Sequence, residues 1–373
     1  MSAPRWDLVC SAVPFGYGPA AKAVAVAERV RALGMKTAFV GSGVALELAR
    51  RSDSFGDCIA ADAMEPRARR ALRAGDRVLC VMDPQLAGIA RELGCDVTAV
   101  DSLFWMWDRV PPEYLDADAY FVQNFPGVEE RITECDGRPS IVGPIIGERV
   151  ARGESSGMLV INLGGFESPF AEAGKDPYGE LAIKSVATSL LGEAYRGRTL
   201  AIGGSACLRA LDDELTAAGF DSGSLSPEAA DRELARAGLV VTSPGLTTTL
   251  ACFAAAVPTV FLPPQNYSQW LILATMRRLG LAPSALHWID CDPDIPLRER
   301  MSEDVAVPEV RRAISRLAGS ESVRAELRRR LSEALSLDFG ELATRQHEWY
   351  RTLGSNGAEA VARYLADSHA RHP

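Results

Sequence analysis

The sequence has only four histidines, and the first of them is His287. Its eight cysteines are scattered over 373 residues and form no CxxC pair. Zinc sites draw their ligands from clustered Cys and His side chains, so the sequence predicts no metal site. We expect the cysteines to be reduced thiols that pack as small apolar side chains.

The chain also lacks a basic surplus and any long apolar run. Lys and Arg total 40 against 49 Asp and Glu, which gives a formal net charge of −9. An acidic protein has no long-range attraction for nucleic-acid phosphates or anionic lipids. No uncharged apolar run approaches the ~20 residues that span a bilayer, and the first residues, MSAPRW, show no signal-peptide pattern. We therefore expect a cytoplasmic protein without a nucleic-acid or membrane partner.

The composition itself is that of a globular protein, with 47% hydrophobic and 24% charged residues. A chain of this length is typical of two domains. In both halves short apolar runs alternate with segments of helical periodicity, and the first run of each half ends in a glycine-rich turn. This alternation predicts parallel sheets with helices on both faces. We predict an α/β protein of two Rossmann-like domains that face each other across a cleft.

The break between the domains is expected at residues 142–156, where Gly-Pro and then Gly-Glu-Ser-Ser-Gly interrupt the pattern. We place the N-terminal domain at 1–148 and the second at 149–340. Helices at 341–373 follow, and packing back on the first domain is one alternative for them. Ligands of open α/β sheets bind beyond the carboxyl ends of the strands, so the residues after each strand are the candidate site residues.

The segment VTSPGLTTTLACFAAAVPTVFLPPQNYSQW, residues 241–270, is the most informative one. A strand ends at 242–245 and a helix begins at about 246–248. Glycine lets phosphates approach the backbone, and a helix N-terminus offers N–H groups and a positive dipole end. A plain Ser/Thr cap on a core helix is the alternative. The amides that follow the next strand favour recognition of sugar hydroxyls.

This segment resembles the donor-binding motif of GT-B glycosyltransferases, in which a small-residue helix precedes G-V-P-x-V-x-x-P, polar residues and a Gln. The matching runs here are AVPTVFLP at 256–263 and LARAGLVVTSP at 234–244. The resemblance covers roughly residues 155–275 and implies a UDP-sugar donor with no metal or other cofactor. We predict these donor-binding residues: Gly164, Gly165, Gly204, Ser205, Ser243, Gly245, Leu246, Thr247, Thr248, Gln265, Asn266 and Gln269.

Two features depart from that family. Its members usually carry a Glu that holds the donor ribose, but Ala251 stands at that place and residues 239–288 contain no acidic side chain. Many members use a His after the first glycine-rich loop as general base, and no His occurs there. Ribose recognition and proton removal must therefore come from other residues.

Asp101 is the preferred candidate for the general base. It follows a predicted strand and precedes an aromatic cluster, and burial raises a carboxylate's pKa so that it accepts a proton at neutral pH. The cluster would stack a planar acceptor; a loop carboxylate among core aromatics is the alternative. Asp83, one strand earlier, and Glu167, after the second glycine turn, are the other candidates. We predict these acceptor-binding residues: Gly16, Tyr17, Gly18, Lys22, Phe104, Trp105, Gln123 and Asn124.

Within the GT-B family, the runs FGYGPAAK, VDSLFWMWD and PPQNYSQW resemble the cytosylglucuronate synthases of nucleoside-antibiotic pathways. That resemblance implies transfer of glucuronate from UDP-glucuronate to cytosine or hydroxymethylcytosine with an N-glycosidic bond. The alternatives are transfer to another small natural product and a nucleotide-sugar 2-epimerase of the same fold. A dehydrogenase is disfavoured because Ala21 replaces the third glycine of G-x-G-x-x-G. The oligomeric state stays open, with a homodimer as one alternative.

Overall fold

The computed structural model describes residues 6–136, 138–147, 154–164 and 177–371. The chain divides into two compact units. The first contains residues 1–148 and 353–373, and the second contains residues 149–352. None of the helices within the described ranges combines the length and apolarity that crossing a membrane requires.

The first unit is built on seven parallel strands: β1 (Leu8–Ala12), β2 (Thr37–Gly41), β3 (Asp57–Ala60), β4 (Arg77–Val81), β5 (Asp96–Asp101), β6 (Ala119–Gln123) and β7 (Ser140–Val142). The connecting helices are α1 (Gly18–Ala32), α2 (Gly43–Arg51), α3 (Pro66–Leu72), α4 (Pro84–Glu92), α5 (Pro112–Leu115) and α6 (Val128–Thr133). The strands lie in the order β3-β2-β1-β4-β5-β6-β7. The order reverses between β1 and β4, as in Rossmann folds.

The second unit repeats this plan with five parallel strands: β8 (Leu159–Asn162), β9 (Thr199–Ile202), β10 (Asp221–Gly223), β11 (Leu239–Thr242) and β12 (Thr259–Phe261). Its helices are α7 (Pro177–Ala187), α8 (Leu190–Ala194), α9 (Ser205–Ala210), α10 (Asp212–Ala218), α11 (Pro227–Arg236), α12 (Leu246–Ala254), α13 (Tyr267–Arg278), α14 (Glu303–Leu317), α15 (Glu321–Glu333) and α16 (Phe339–Thr352). The strand order is β10-β9-β8-β11-β12, which reverses between β8 and β11.

The predicted α/β class is confirmed, because both sheets are parallel and their strands alternate with helices. Every residue of β1, β4, β8 and β11 is buried, as expected where helices cover both faces of a parallel sheet. The sequence analysis did not identify β3, β7 and β10. All three are edge strands, and all of their residues except Val142 are partly buried or exposed, so they carry no continuous apolar signal.

Helix α16 belongs to the second unit, and one glutamine fixes it there. The side chain of Gln346 accepts from the backbone N–H of Thr259 (3.0 Å) and donates to the Thr259 carbonyl (2.9 Å). It thus occupies the free edge of β12 as a neighbouring strand would. The same amide also donates to the carbonyl of Leu281 at 2.9 Å.

The chain returns to the first unit at Leu353, beyond the predicted boundary at 340, and ends in α17 (Gly357–Arg371). Helix α17 packs on α1 through Val361 and Leu365, both fully buried. At its start the backbone passes very close to the end of β7. A Cβ on Gly143 would lie 2.6 Å from the Ser355 nitrogen, so glycine is required at this crossing.

Candidate functional site

The carboxyl ends of β8 and β11 lie side by side in the second unit, where the strand order reverses. This position is the usual ligand site of an open α/β sheet. Asn162 ends β8, Thr242 ends β11, and α12 begins four residues later at Leu246. We call Asn162, Gly164 and residues 243–248 the candidate phosphate site.

The N-terminus of α12 is open to a ligand. Its N-cap is Gly245, which has no side chain to occupy the first N–H groups, and its backbone N–H donates to the Ser243 carbonyl at 2.7 Å. Among the described residues, a Cβ added to Gly245 would meet only Gln269 Nε2, at 3.9 Å. The helix start therefore offers space together with the positive end of the helix dipole, which is the arrangement that binds phosphate groups.

Asn162 is a residue that the sequence analysis missed. Its Nδ2 donates to the hydroxyl of Thr242 (3.3 Å) and to the hydroxyl of Thr248 (3.0 Å), while its Oδ1 accepts from the backbone N–H of Gly164 (3.2 Å). One side chain therefore ties the ends of both central strands to the first turn of α12. A polar residue at the end of the apolar run Met-Leu-Val-Ile is the signal that could have identified it.

Two buried aromatic residues donate hydrogen bonds to the loop after β12. The Tyr178 hydroxyl donates to the Pro263 carbonyl, and Trp288 Nε1 donates to the Pro264 carbonyl at 2.6 Å. The two rings contact each other edge to face, with centroids 6.3 Å apart. This support gives the polar residues that follow the two prolines a fixed position.

Of those polar residues, Gln269 is buried and Gln265 is half-buried. Gln269 Oε1 accepts from the backbone N–H of Gln265 at 2.9 Å, which leaves Nε2 on the side of Gly245. Asn266 caps α13, because its Oδ1 accepts from the backbone N–H of Gln269 (2.9 Å) and from the Ser268 hydroxyl (2.8 Å). The predicted sugar-binding role of these residues stays a prediction, and the structure adds a structural role for Asn266.

Two of the remaining predicted donor residues, Gly204 and Ser205, follow β9. Gly204 is the N-cap of α9, and the Ser205 hydroxyl donates to the Ser224 hydroxyl at 3.3 Å. Thr247 and Thr248 are half-buried in the first turn of α12, beside the buried Ser243 and Leu246. Gly165 and Glu167 lie outside the described residues.

In the first unit, Asp101 is fully buried at the end of β5 and is held by three donors. Its Oδ1 accepts from the backbone N–H of Leu103 (2.7 Å), and its Oδ2 accepts from Trp107 Nε1 (2.7 Å) and the Tyr120 hydroxyl (3.0 Å). Burial raises the pKa of the carboxyl to about 6, against the lowering effect of these hydrogen bonds. A carboxylate with this pKa is ionised at neutral pH and still basic enough to take a proton.

Asp83 sits at the matching place after β4, but its contacts are those of a helix cap. Its Oδ1 accepts from the backbone N–H of Leu86 at 3.1 Å, and its Oδ2 accepts from the Ser11 hydroxyl at 2.7 Å. Burial raises the pKa of this carboxyl, and the bonds from Ser11 and Leu86 lower it.

The aromatic residues after β5 divide into core and partly exposed members. Phe104 is fully buried and contacts Tyr120 edge to face, so it lies in the core. Trp105 is half-buried, and its ring lies 4.7 Å from that of Phe125. The Nε1 atom of Trp105 is buried and has no hydrogen-bond partner among the residues that the structure describes. Of the predicted stacking pair, Trp105 alone offers partly exposed ring surface.

Two amides end or follow β6. Gln123 is fully buried; its Oε1 accepts from the backbone N–H of Ile145 at 2.9 Å, whereas its Nε2 has no hydrogen-bond partner in the described part of the chain. Asn124 is half-buried and donates to the Leu353 carbonyl at 3.2 Å. Asn124 therefore helps to hold the start of the returning chain.

The first glycine-rich loop precedes α1. Gly16 has a φ of +67°, a left-handed conformation that favours glycine, and Gly18 begins the helix. The Tyr17 hydroxyl donates to Glu47 Oε2 over a long 3.5 Å. Lys22 is only 2% exposed, and burial lowers its pKa to about 7, so this side chain is a buried amine and not a solvated surface lysine.

Throughout the described ranges, no group of three or more His, Cys, Asp and Glu side chains is placed to hold a metal ion. The two edges therefore consist of hydroxyl, amide and backbone groups in the second unit and of buried ionisable groups with aromatic neighbours in the first.

Comparison with solved structures finds the same fold over the whole chain. Os79 from O. sativa in complex with UDP is 14% identical, with a TM-score of 0.54, and the match covers 98% of this chain and 100% of that one. UGT89C1 of Arabidopsis thaliana complexed with UDP is 11% identical, with a TM-score of 0.55 and coverage of 97% and 99%. The glycosyltransferase of kitacinnamycin is 14% identical, with a TM-score of 0.50 and coverage of 98% and 99%.

The fold class is thus GT-B, as the sequence predicted. Family models gave no match to the sequence, and neither did the curated proteins. At 11–14% identity the likeness establishes the fold, and activity has to be argued from the site.

Proposed function

We propose that this protein is a glycosyltransferase that moves a sugar from a UDP-sugar to a small planar acceptor. The observation that carries the proposal is the open N-terminus of α12 at the point where the second sheet reverses its strand order. Structures of the same fold from O. sativa and A. thaliana were solved with UDP, which supports a diphosphate as the ligand of this edge.

The donor would lie along the second unit. Its diphosphate would bind the candidate phosphate site, where the helix dipole and the hydroxyls of Thr247 and Thr248 offset its negative charge. Its sugar would lie toward Gln265 and Gln269, on the loop that Tyr178 and Trp288 support. Departure of UDP from the anomeric carbon places new negative charge on the β-phosphate, which the start of α12 stabilises.

The acceptor would bind at the first unit, with Asp101 as general base. In this step the acceptor's nucleophilic nitrogen or oxygen forms a bond to the anomeric carbon while the bond from that carbon to the UDP oxygen breaks. The proton of the nucleophile passes to the Asp101 carboxylate. Because three donors already contact this carboxylate, the acceptor has to replace the partly exposed Trp107 indole on Oδ2.

At the finer level we propose UDP-glucuronate as donor and cytosine or hydroxymethylcytosine as acceptor. The partly exposed ring of Trp105 supports a planar heterocyclic acceptor, because such a ring can stack on it. Such a ring loses one N–H proton when the glycosidic bond forms, which requires a base.

The test is incubation of the protein with UDP-glucuronate, UDP-glucose or UDP-N-acetylglucosamine, each with and without cytosine or hydroxymethylcytosine. We expect UDP release that depends on the acceptor, and a product whose mass equals the acceptor plus the sugar residue. Epimerised sugar without an acceptor would instead support the 2-epimerase, and activity only with other scaffolds would support a natural-product transferase. Absence of UDP binding and of UDP release would overturn the proposal.

A further inference from the structure

Asn162 holds the candidate phosphate site together, and its hydrogen bonds have only one consistent direction. The backbone N–H of Gly164 can only donate, so the atom that faces it is the oxygen of the Asn162 amide. The amide nitrogen therefore faces the hydroxyls of Thr242 and Thr248 and gives one hydrogen to each. Both threonine oxygens are acceptors in these bonds.

The two hydroxyls then differ in where their own hydrogens go. The Thr242 hydroxyl donates to the Ser243 carbonyl at 3.0 Å. The Thr248 hydroxyl has no acceptor in the part of the chain that the structure describes, although it is half-buried in the first turn of α12. Its hydrogen is available at the helix end where a phosphate oxygen would lie.

We infer that Asn162 is a positioning residue that makes Thr248 a hydrogen-bond donor toward a diphosphate. The inference rests on the proposed function, because it assigns the bound group to the phosphates of a UDP-sugar. Asn162 acts through Thr248 and does not need to contact the ligand. A hydroxyl that already accepts from an amide is a stronger donor than one that is free to turn, and hydrogen bonds to charged groups are among the stronger ones in proteins.

The experiment compares Asn162→Asp with Asn162→Ala by calorimetry with UDP and with uridine. Aspartate matches asparagine in shape but only accepts, so it captures the Thr248 hydrogen and adds a negative charge. Alanine removes the amide but leaves the hydroxyl free. We expect UDP affinity to fall about tenfold in the Ala variant and further in the Asp variant. Uridine, which lacks phosphates, should bind both variants as it binds the wild type.

Two further variants separate positioning from packing. Thr248→Val should weaken UDP binding in the wild-type background and add little in either Asn162 background, because coupled residues are not additive. Asn356→Asp, an exposed position in the first unit, controls for the added charge and should bind UDP normally. The double-mutant comparison of Thr248→Val with Asn162→Ala tests the coupling of the two residues even if the Asp variant does not fold.

The inference is overturned where Asn162→Asp binds UDP as well as or better than Asn162→Ala, since a packing role favours the isosteric residue. It is also overturned where uridine affinity falls in parallel with UDP affinity, or where Thr248→Val and Asn162→Ala are additive. Failure of the wild type to bind UDP would instead refute the proposed function, so the two failures are distinguishable.

Discussion

The carboxyl edges of the two sheets are built from different chemistry although their topology is the same. In the described part of the second unit, the edge presents hydroxyls, amides and backbone N–H groups, with Asn162 at its centre. The first unit instead places two carboxylates after neighbouring strands, the fully buried Asp101 and the half-buried Asp83, and buries the amine of Lys22 in α1.

The difference indicates two tasks. A ligand that brings its own charge, such as a diphosphate, is held well by neutral donors and a helix dipole that keep their state at every pH. Proton transfer needs a group whose pKa lies near the working pH, and burial supplies this for Asp101. The comparison therefore supports the proposal that the second unit binds the donor and the first carries out the acid–base chemistry.

The largest expected effect follows Asp101→Asn. If Asp101 takes the acceptor's proton, kcat should fall on the order of 10²–10⁴, while UDP affinity should stay unchanged because the proposal places the donor on the other unit. In the wild type the pKa of about 6 predicts that activity rises with pH through 6, as the carboxyl loses its proton, and that the variant shows no such rise. Steady-state kinetics over about pH 5 to 8, which brackets this pKa, measure both.

Asp83→Asn is the control for that experiment, since Asp83 has the matching place one strand earlier and the contacts of a helix cap. We expect it to lower stability and leave kcat within a few-fold. An active Asp101→Asn with an inactive Asp83→Asn would move the base by one strand. If both variants were active, neither carboxylate would be the general base, and Glu167 would then be the next candidate.

Gly245→Val tests the second unit. Among the described residues, the new Cβ meets only Gln269 Nε2, at 3.9 Å, so we expect the fold to survive while the side chain occupies the space of the phosphates. We expect UDP affinity to fall by about a hundredfold, which corresponds to about 3 kcal/mol. Gly319→Val is a matched control, because a Cβ there meets no neighbour within 4 Å. Unchanged UDP affinity in calorimetry would remove the start of α12 from the site.

His287 tests whether the stability of the second unit depends on pH through a titrating side chain. The ring is fully buried; its Nε2–H donates to the Trp270 carbonyl at 3.1 Å, and its Nδ1 accepts from the Ile289 N–H. Burial lowers its pKa from 6.5 to about 4. The unfolded chain therefore binds a proton that the folded one does not, and stability present above pH 6.5 is lost as the pH falls toward 4.

This loss should be on the order of 3 kcal/mol and should disappear from the pH dependence of His287→Gln, measured by urea unfolding. His347→Gln, at a half-buried position, controls for the removal of a ring. An equally steep acid dependence in the His287 variant would contradict the assignment.

Gln269→Ala should have the smallest effect and sharpens the division within the second unit. The change removes Nε2 from the side of Gly245 and the support that Oε1 gives to the Gln265 backbone. We expect about a tenfold loss of affinity for the UDP-sugar, the size of one hydrogen bond to a ligand, and a smaller loss for UDP. Equal losses for both ligands would contradict a role in sugar binding.

The central strands of both sheets and the start of α12 were predictable from the sequence, because their signals are local. Continuous apolar runs predicted the central strands, and the glycine and threonines at 245–249 predicted the helix start. What sequence reasoning missed depends on distant partners. Asn162 bonds to hydroxyls 80 and 86 residues away, and the three donors on Asp101 come from a loop and a neighbouring strand. Lys22 was predicted to bind the acceptor, and its burial depends on packing that the sequence pattern does not show.

Amide hydrogen exchange with UDP alone tests the central claim most directly, because it locates the diphosphate on the chain without any variant. The account predicts slower exchange in peptides that cover 159–164, 242–250 and 263–270, with peptides that cover 14–22 and 101–107 unchanged until an acceptor is added. Slower exchange at 14–22 or 101–107 with UDP alone, and none at 242–250, would contradict the assignment of donor binding to the second unit.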